Sequence, residues 1–374
     1  MVMSPGPAPR SRRTVLVARL DNAGDVLLQG PLVRAVAHGA DRVVFLAGPA
    51  GAPAAELLPG VDEVWTWACP WILGDPPAVD AADVAALIGR VRALAPDAAV
   101  ISTSFHQSPL PLALVLRLAG VPRISAISVD YPGTLLDVRH RVEDDLPEPQ
   151  RALSLARAAG FELPDGDDGR LAVRRPLPPV AHEHRGHDLS PGYVVVHPGA
   201  SVPARAWPAE RCAEAVEALA DAGHRVLVTG GPGEKALSAA VAGSRGVDLG
   251  GATSLPEMAA LLDGAVAVVV GNTGPAHLAA AVGTPVVSLF SPVVPAARWA
   301  PYGVPTVLLG DQSAPCRDTR ARECPVPGHP CLTSVTAQDV VVAVATLTTT
   351  VQQPAVLRHP VAAREAAPTL QGRT

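Results

Sequence analysis

Short apolar runs alternate with longer segments of helical periodicity along most of the chain. Runs of Val, Ala and Leu predict buried strands, and apolar residues repeated every three or four positions predict helices. Continuous apolar strands separated by helices are typical of a parallel sheet covered on both faces. In the first half the predicted strands are Thr14–Arg19, Arg42–Leu46, Ala98–Thr103 and Arg123–Ile127, and the predicted helices are Val26–Ala37, Ala82–Leu94 and Leu110–Ala119.

The alternation stops between Glu162 and Pro191, where Pro, Gly, Asp and His are frequent, and then begins again. We interpret this interruption as a linker that contains one short strand, Arg170–Val173. The repeated pattern predicts two Rossmann-like α/β domains with a cleft between them. In the second half the predicted strands are Tyr193–Val196, Arg225–Thr229, Val266–Val270 and Val286–Phe290, and the predicted helices are Ala209–Ala222, Gly233–Ala242 and Pro275–Val282.

A chain of 374 residues is long enough for two such domains. We expect a flexible N-terminal tail over residues 1–13 and a first domain over 14–175. A linker over 176–191 then leads to a second domain over 192–348, and a disordered tail follows over 349–374.

Charge and composition narrow the classes of function. The formal net charge is −5 with the charges scattered, whereas nucleic-acid binders usually carry a basic stripe. No apolar run approaches the ~18 residues that cross a bilayer, and the first is too short for a secretory signal. Five cysteines in a large chain are typical of reduced thiols. We therefore expect a cytoplasmic protein without a transmembrane segment or nucleic-acid partner. A peripheral membrane contact through Arg10, Arg12 and Arg13 stays open as an alternative to a solvated tail.

A polar loop, Asp21–Asp25, follows the first predicted strand. Ligands of open α/β folds bind at the carboxyl ends of the strands, where this loop lies. Asp25 begins the next helix, so its carboxylate is either an ordinary N-cap or, facing the cleft, a base that accepts a proton from a sugar hydroxyl. The G-x-G-x-x-G fingerprint is missing, which argues against a nicotinamide oxidoreductase.

Two strand–helix junctions of the second half predict an anion site. Arg205 precedes the helix that begins near Pro208, and a guanidinium at such a junction suits a diphosphate. The turn Gly271–His277 opens another helix, whose exposed N–H groups and dipole attract phosphate. His277, one turn in, can donate to the same phosphate. A surface arginine and a simple Gly-Pro turn are the plain alternatives.

Two further loops lie where a ligand would bind. Glu234, in a Gly-rich loop, either binds a ribose hydroxyl pair or is an exposed residue of a first helical turn. The loop Ser102–Ser108 either offers donors and acceptors to a sugar acceptor or only caps the next helix.

A late group of Cys and His residues and a group of three Trp residues could each be either structural or functional. Cys316, Cys324, Cys331 and His329 lack the Cys-x2-Cys pairs of structural zinc sites, so a reduced loop is expected and metal binding is the alternative. We expect the three tryptophans to pack in a core, and contact with a membrane surface or a lipid-linked glycan is the alternative. They are Trp65, Trp67 and Trp71.

Taken together, these segments resemble glycosyltransferase family 9, the ADP-heptose:lipopolysaccharide heptosyltransferases. The resemblance covers Thr14 to Leu347. It implies an α/β protein of GT-B fold that moves a heptose, with inversion and no cofactor, from ADP-heptose to a lipopolysaccharide-core-like or other cell-envelope glycan. The motifs that carry it are Gly-Asp-Val-Leu (24–27), Thr-Ser-Phe-His-Gln-Ser (103–108), His-Pro-Gly-Ala (197–200), Thr-Gly-Gly-Pro (229–232) and Thr-Gly-Pro-Ala-His-Leu-Ala-Ala-Ala (273–281).

The resemblance also implies roles for residues of this sequence. The catalytic base is Asp25, and Arg205 stands where the family often has Lys, so the positive charge is kept. Asn272 stands where the family usually has Asp, which removes a negative charge beside the donor. A GT-B epimerase and a non-catalytic nucleotide-sugar-binding protein stay open as alternatives. The implied donor contacts are Arg205, Glu234, Asn272, Thr273, Gly274 and His277, and the implied acceptor-side residues are Gly24, Ser104, His106 and Gln107.

Overall fold

The computed structural model describes residues 13–73, 76–104, 106–142, 145–181, 183–184 and 186–351. Their strands are β1 (Thr14–Arg19), β2 (Arg42–Ala47), β3 (Glu63–Thr66), β4 (Ala98–Ile101), β5 (Ile124–Ile127), β6 (Val138–His140), β7 (Glu183–His184), β8 (His187–Asp188), β9 (Tyr193–His197), β10 (Val226–Gly230), β11 (Val247–Gly250), β12 (Ala265–Gly271), β13 (Val286–Leu289) and β14 (Thr306–Leu309). Their helices are α1 (Ala23–Leu27), α2 (Gly30–His38), α3 (Ala52–Glu56), α4 (Ala81–Leu94), α5 (Leu110–Leu118), α6 (Glu148–Ala158), α7 (Ala209–Asp221), α8 (Lys235–Ala242), α9 (Leu255–Asp263), α10 (Gly274–Val282), α11 (Ala296–Trp299), α12 (Pro330–Thr333) and α13 (Ala337–Val351).

Two six-stranded parallel sheets form the frame of the molecule, in the orders β3-β2-β1-β4-β5-β6 and β11-β10-β9-β12-β13-β14. Each half therefore starts at a central strand, builds to one edge and then crosses to the other side. This is the Rossmann order, and ligands bind at the carboxyl ends of the strands near the reversal. The predicted pair of Rossmann-like α/β halves is confirmed; the exact domain boundaries stay a prediction.

The central strands form because their β-branched runs can be buried on both faces of a sheet. All five residues of β9 are buried, as are all of β1 except its first. Each of these strands ends on a polar residue, Arg19 or His197, which is thereby delivered to the ligand-binding edge of its sheet.

The sequence patterns missed the edges of both sheets. In the two large sheets, the strands that were not predicted are β3, β6, β11 and β14, and each is only partly buried. An edge strand needs no continuous apolar run, because one side faces solvent. Helix α6 was also missed, and the predicted strand Arg170–Val173 is absent from this described segment.

The helix predicted at Val26–Ala37 is two helices, α1 and α2. Pro31 lies in the first turn of α2, and a proline cannot donate the backbone hydrogen bond that would continue α1. The break leaves α1 as a short helix whose first turn carries Gly24 and Asp25.

The two halves contact each other directly. Helix α1 of the first half packs on α10 of the second. Farther out, Gln150 Nε2 donates to the hydroxyl of Tyr302 at 3.1 Å, and Arg175 forms a two-pronged ion pair with Asp263 at 2.7 Å. These contacts define a cleft lined by the carboxyl ends of both sheets.

The tryptophans and the N-terminal arginines are the residues for which membrane contact was an alternative, and they lie in different parts of the molecule. Trp65 and Trp67 are buried in the first half, as core packing predicts. Arg13 lies over the ring of Phe161, and residues 1–12, including Arg10 and Arg12, lie outside the described residues. Across the described ranges, no helix has both the length and the apolar character required to span a membrane. Of the predicted tail over 349–374, the part from residue 352 onward also lies outside the described residues, and α13 extends to Val351.

Candidate active site between the two halves

Arg19, the last residue of β1, organises the front of the cleft. Its side chain is fully buried, and Nε lies 2.7 Å from Asp21 Oδ2. Its Nη2 donates to Asp25 Oδ1 and to Ser104 Oγ, both at 2.8 Å, and Nη1 lies 4.0 Å from Glu148 Oε2. A buried guanidinium requires such matching charges and acceptors. The Arg19 network therefore fixes where the Asp25 carboxylate points.

Asp25 lies in the first turn of α1 but does not cap it. Asn22 occupies the N-cap position without a side-chain cap bond, and the Asp25 carboxylate binds Arg19 instead, so the N-cap interpretation is wrong. Burial raises the pKa of Asp25 to about 6 against the opposing effect of the positive charges of Arg19 and Arg205. Such a carboxylate is mostly ionised at pH 7 and is more basic than an ordinary aspartate. Both properties suit a group that accepts a proton.

The predicted acceptor loop after β4 braces Asp21. Ser104 Oγ donates to Asp21 Oδ2 at 3.1 Å, and Gln107 Nε2 donates to Asp21 Oδ1 at 2.6 Å. His106 is exposed on the same loop, and its pKa is lowered by partial burial and then by the charge of Arg320. His106 is thus placed to meet an acceptor, whereas Ser104 and Gln107 are engaged in holding the carboxylates.

The turn that opens α10 meets α1 where the two halves touch. Helix α10 begins at Gly274, and its N-cap, Thr273, makes no side-chain cap bond. A Cβ on Gly24 would lie 3.0 Å from both Gly274 Cα and His277 Cδ2, so only a glycine lets the turns approach this closely. Gly24, predicted on the acceptor side, is buried by this packing. Gly274 lets α1 approach closely as well, and its role as a donor contact stays a prediction.

Three rear residues bury a polar atom that has no hydrogen-bond partner among the described residues: Arg205 Nε, Asn272 Oδ1 and His277 Nδ1. Such atoms are costly unless a ligand or water satisfies them. Burial, and then the charge of Arg205, lowers the pKa of His277 to about 4. Its ring is therefore neutral at pH 7 and still offers one N–H. Arg205 Nε and the N–H of His277, beside the N-terminus of α10, fit the oxygen atoms of a diphosphate, whereas Asn272 Oδ1 is an acceptor and requires a donor.

Asn272 also ties two loops of the second half together. Its Nδ2 donates to the backbone oxygen of Ser291 at 3.5 Å, which links the α10 turn to the loop after β13. An amide carries no charge, so this turn has no carboxylate to repel an anion. The replacement of the usual aspartate is therefore compatible with a diphosphate site.

Glu234 is held in place rather than loose on the surface. Its Oε2 accepts a hydrogen bond from the backbone N–H of Gly231 at 2.7 Å and lies 3.9 Å from His197 Nε2. The other ring nitrogen of His197 is 3.1 Å from Thr229 Oγ1. A Cβ on Gly199 would overlap the Glu234 carboxylate, so this glycine makes room for it. The carboxylate thus lies at the carboxyl ends of β9 and β10, where we predicted a ribose contact.

The late cysteines pack within the second half. Cys316 and Cys331 are buried, and burial raises the pKa of the Cys331 thiol to about 11, so that thiol stays protonated. Throughout the described part of the chain, no cluster of three or more His, Cys, Asp or Glu side chains is arranged to hold a metal. The metal alternative for Cys316, Cys324, His329 and Cys331 therefore gains no support.

Arg19 is the main residue of the site that the sequence patterns missed. The available signal was a charged residue at the end of an otherwise apolar strand, with Asp21 and Asp25 close behind. A charge in a buried strand usually marks a site, because its burial must be offset by partners.

Comparison with known proteins gives the site a family context. The model of "Glycosyltransferase family 9 (heptosyltransferase)" matches residues 106–329. An Escherichia coli protein named lipopolysaccharide heptosyltransferase 3 is 30% identical over 171 residues, which are 43% of this chain and 48% of that protein. The chain spans about half or less of the length of the curated relatives it matches.

Solved structures share the fold over nearly the whole chain. The E. coli ADP-heptose lipopolysaccharide heptosyltransferase II matches with a TM-score of 0.68 and 20% identity, over 91% of this chain and 100% of that one. The E. coli heptosyltransferase WaaC with ADP-2-deoxy-2-fluoro heptose matches with a TM-score of 0.65 and 20% identity, over 89% of this chain and 99% of that one. At this identity the likeness concerns the fold, and it confirms the expected GT-B arrangement.

Proposed function

Because this chain belongs to glycosyltransferase family 9, we propose that it transfers a sugar from a nucleotide diphosphate donor to a glycan acceptor, with inversion. The donor we propose is ADP-heptose, and the acceptor is a lipopolysaccharide-core-like or other cell-envelope glycan. The names of the curated relative and of the structure with an ADP-sugar analogue support this choice. A lipid-linked acceptor would bring the protein to the inner face of the cell membrane as a peripheral contact.

One juxtaposition carries the proposal. Asp25 of the first half lies close enough to Arg205 of the second for the arginine charge to lower its pKa. Beside them, the α10 turn packs directly on α1. A proton acceptor and an anion site therefore face one small region between the halves, as a transfer from a diphosphate requires.

The chemistry follows from these positions. An acceptor hydroxyl attacks the anomeric carbon while the bond to the diphosphate breaks, and the leaving diphosphate keeps the electron pair. Asp25 takes the hydroxyl proton, and Arg19 holds the carboxylate in position. Negative charge grows on the leaving oxygen, where Arg205 and the N-terminus of α10 stabilise it. His277 donates its remaining N–H to the same group.

The test is incubation with a panel of nucleotide sugars and glycan acceptors, followed by mass spectrometry of released nucleotide and extended glycan. We expect transfer with ADP-heptose, ADP as the released nucleotide, and product only when an acceptor is present. An altered donor sugar formed without any acceptor would instead indicate an epimerase. Binding of ADP-sugars without turnover across the panel would indicate a non-catalytic binding protein.

A further inference from the structure

Glu148, the first residue of α6, carries a buried carboxylate that the mechanism above does not use. It follows Pro147 at the N-terminus of the helix, where a negative charge is favourable. Only 1% of its surface is exposed, and its Oε1 has no hydrogen-bond partner among the described residues. Burying a carboxylate in this way is unfavourable unless positive charges compensate for it. Those charges must therefore lie close to Glu148.

Two arginines from different elements supply this compensation. The Oε2 atom of Glu148 lies 3.7 Å from Nη1 of Arg151, one turn later on α6, and 4.0 Å from Nη1 of Arg19. Arg151 is itself buried, and its Nη1 donates to the backbone oxygen of Thr103 at 3.0 Å. Glu148 and Arg151 therefore link α6 to the Arg19 network on one side and to the acceptor loop after β4 on the other.

Glu148 is the third carboxylate around the Arg19 guanidinium. Asp21 and Asp25 lie 2.7 and 2.8 Å from its nitrogens, whereas Glu148 lies at 4.0 Å. At this distance the negative potential of Glu148 offsets part of the positive potential that Arg19 exerts on Asp25. Burial is the main cause that raises the pKa of Asp25, and the negative charges of Asp21 and Glu148 raise it further. The contacts and the electrostatics therefore agree on what Glu148 does.

The other groups that face Asp25 come from the second half and from α3. The positive charge of Arg205 lowers the pKa of Asp25. Helix α10 presents His277, whose ring is neutral at pH 7, and Glu56 of α3, which packs against α1, is exposed. Glu148 differs from these groups because it carries a negative charge that is buried inside the first half.

We propose that Glu148 is a positioning residue of the transferase: its buried charge offsets part of the charge of Arg19 and so keeps Asp25 reactive as the base. The proposal rests on the proposed function, because that function makes Asp25 the base. Glu148 is too deeply buried to contact substrate, so it acts through Arg19. An uncharged residue in its place would leave Arg19 to Asp21 and Asp25 alone. Asp25 would then accept a proton less readily.

The test compares variants that remove opposite charges from the Glu148–Arg151 pair. Glu148→Gln keeps the size of the side chain, and the rise of kcat/KM with pH should move to lower pH by roughly 0.5–1 unit. Its plateau should fall about two- to fivefold, because Asp25 is a weaker base. Arg151→Gln removes a positive charge and should move the rise to higher pH. Glu148→Asp, which keeps the charge, should retain the wild-type midpoint.

Carbon-13 NMR of the aspartate carboxyl groups measures the same shifts without any substrate, and Asp25→Asn assigns the Asp25 signal. The control is Glu162→Gln, which removes an exposed carboxylate paired with Arg157 of α6 and should shift neither profile. Calorimetry with ADP shows that each variant is folded, because the proposed ADP contacts lie in the second half. If Glu148→Gln does not fold, the direction of the shift in Arg151→Gln decides.

Three results would overturn the proposal: an unchanged Asp25 midpoint in Glu148→Gln, a shift of Arg151→Gln to lower pH, or equal shifts in Glu148→Asp and Glu148→Gln. Each would mean that the pair only supports the acceptor loop. Absence of transfer by the wild-type protein, with the NMR shifts as expected, would instead count against the proposed function. The effect of Glu148 on Asp25 would then still stand.

Discussion

The two walls of the cleft differ in how their buried polar groups are paired. The front wall is formed by first-half residues, and the rear wall by second-half residues. The front-wall residues are Arg19, Asp21, Asp25, Ser104, Gln107 and Glu148, and the rear-wall residues are Arg205, Asn272 and His277. In the front wall, Arg19 and Asp25 are hydrogen-bonded to each other, and Ser104 and Gln107 hold Asp21 in the same network. In the rear wall, Arg205 and His277 each bury a nitrogen that has no partner among the residues the structure describes. The front wall pairs most of its charged groups within the protein, with Arg19 Nε and Glu148 Oε1 as exceptions, whereas Arg205 and His277 keep buried nitrogens for what binds to the rear wall.

This difference separates positioning from binding. A group that must take a proton has to be held at a fixed place and with a tuned pKa before the substrate arrives. A group that must hold a diphosphate benefits from leaving its donors for the ligand. Changes in the front wall should therefore affect transfer, and changes in the rear wall should affect affinity.

The largest expected effect comes from removing the front carboxylate. Asp25→Asn keeps the shape of the side chain and an oxygen for Arg19 but cannot accept the proton. We expect the transfer rate to fall by about 10²–10⁴-fold, with the dissociation constant of ADP nearly unchanged. Steady-state kinetics and calorimetry measure the two quantities. The control is Asp165→Asn, an exposed aspartate in the turn after α6, which should leave both unchanged. A large loss of ADP affinity in Asp25→Asn would contradict the division between the walls.

A smaller effect is expected from the rear wall. Arg205→Ala removes a charged donor from the diphosphate, so ADP should bind about 10–100-fold more weakly. AMP, which lacks the second phosphate, should lose less. Calorimetry with both nucleotides checks this, and Arg211→Ala removes an exposed arginine of α7 as the control. Equal affinity of the wild-type protein and Arg205→Ala for ADP would show that Arg205 does not bind the diphosphate.

The smallest expected effect concerns pH. Burial raises the pKa of Asp25 to about 6, so kcat/KM should rise with pH through that value and then level off as the base ionises. The negative charge of Asp21 is one cause that raises this pKa. In Asp21→Asn the rise should therefore move to lower pH by a fraction of a unit. A pH–rate profile measures this. If the pH–rate profile of Asp21→Asn matched that of the wild-type protein, a group other than Asp25 would control the pH dependence of kcat/KM.

The sequence predicted the central strands and the loops that follow them, because valine-rich runs and the polar residues after them are local signals. Asp25, Arg205 and the α10 turn were found in this way. The edge strands β3, β6, β11 and β14 were missed because partial burial leaves a weak pattern. The Arg19 network joins residues as far apart in the sequence as Arg19 and Glu148, and the contact of Gly24 with Gly274 joins the two halves. Local sequence patterns do not predict contacts between residues so far apart in the sequence.

The measurement that tests the central claim most directly is a crystal structure of the protein with ADP bound. We expect the diphosphate to lie against Arg205 and the N-terminus of α10, within hydrogen-bond distance of the guanidinium and the ring of His277. The Asp25 carboxylate should face the terminal phosphate from the other wall, still bound to Arg19. A diphosphate seated elsewhere, or an Asp25 carboxylate turned away from it, would contradict the account.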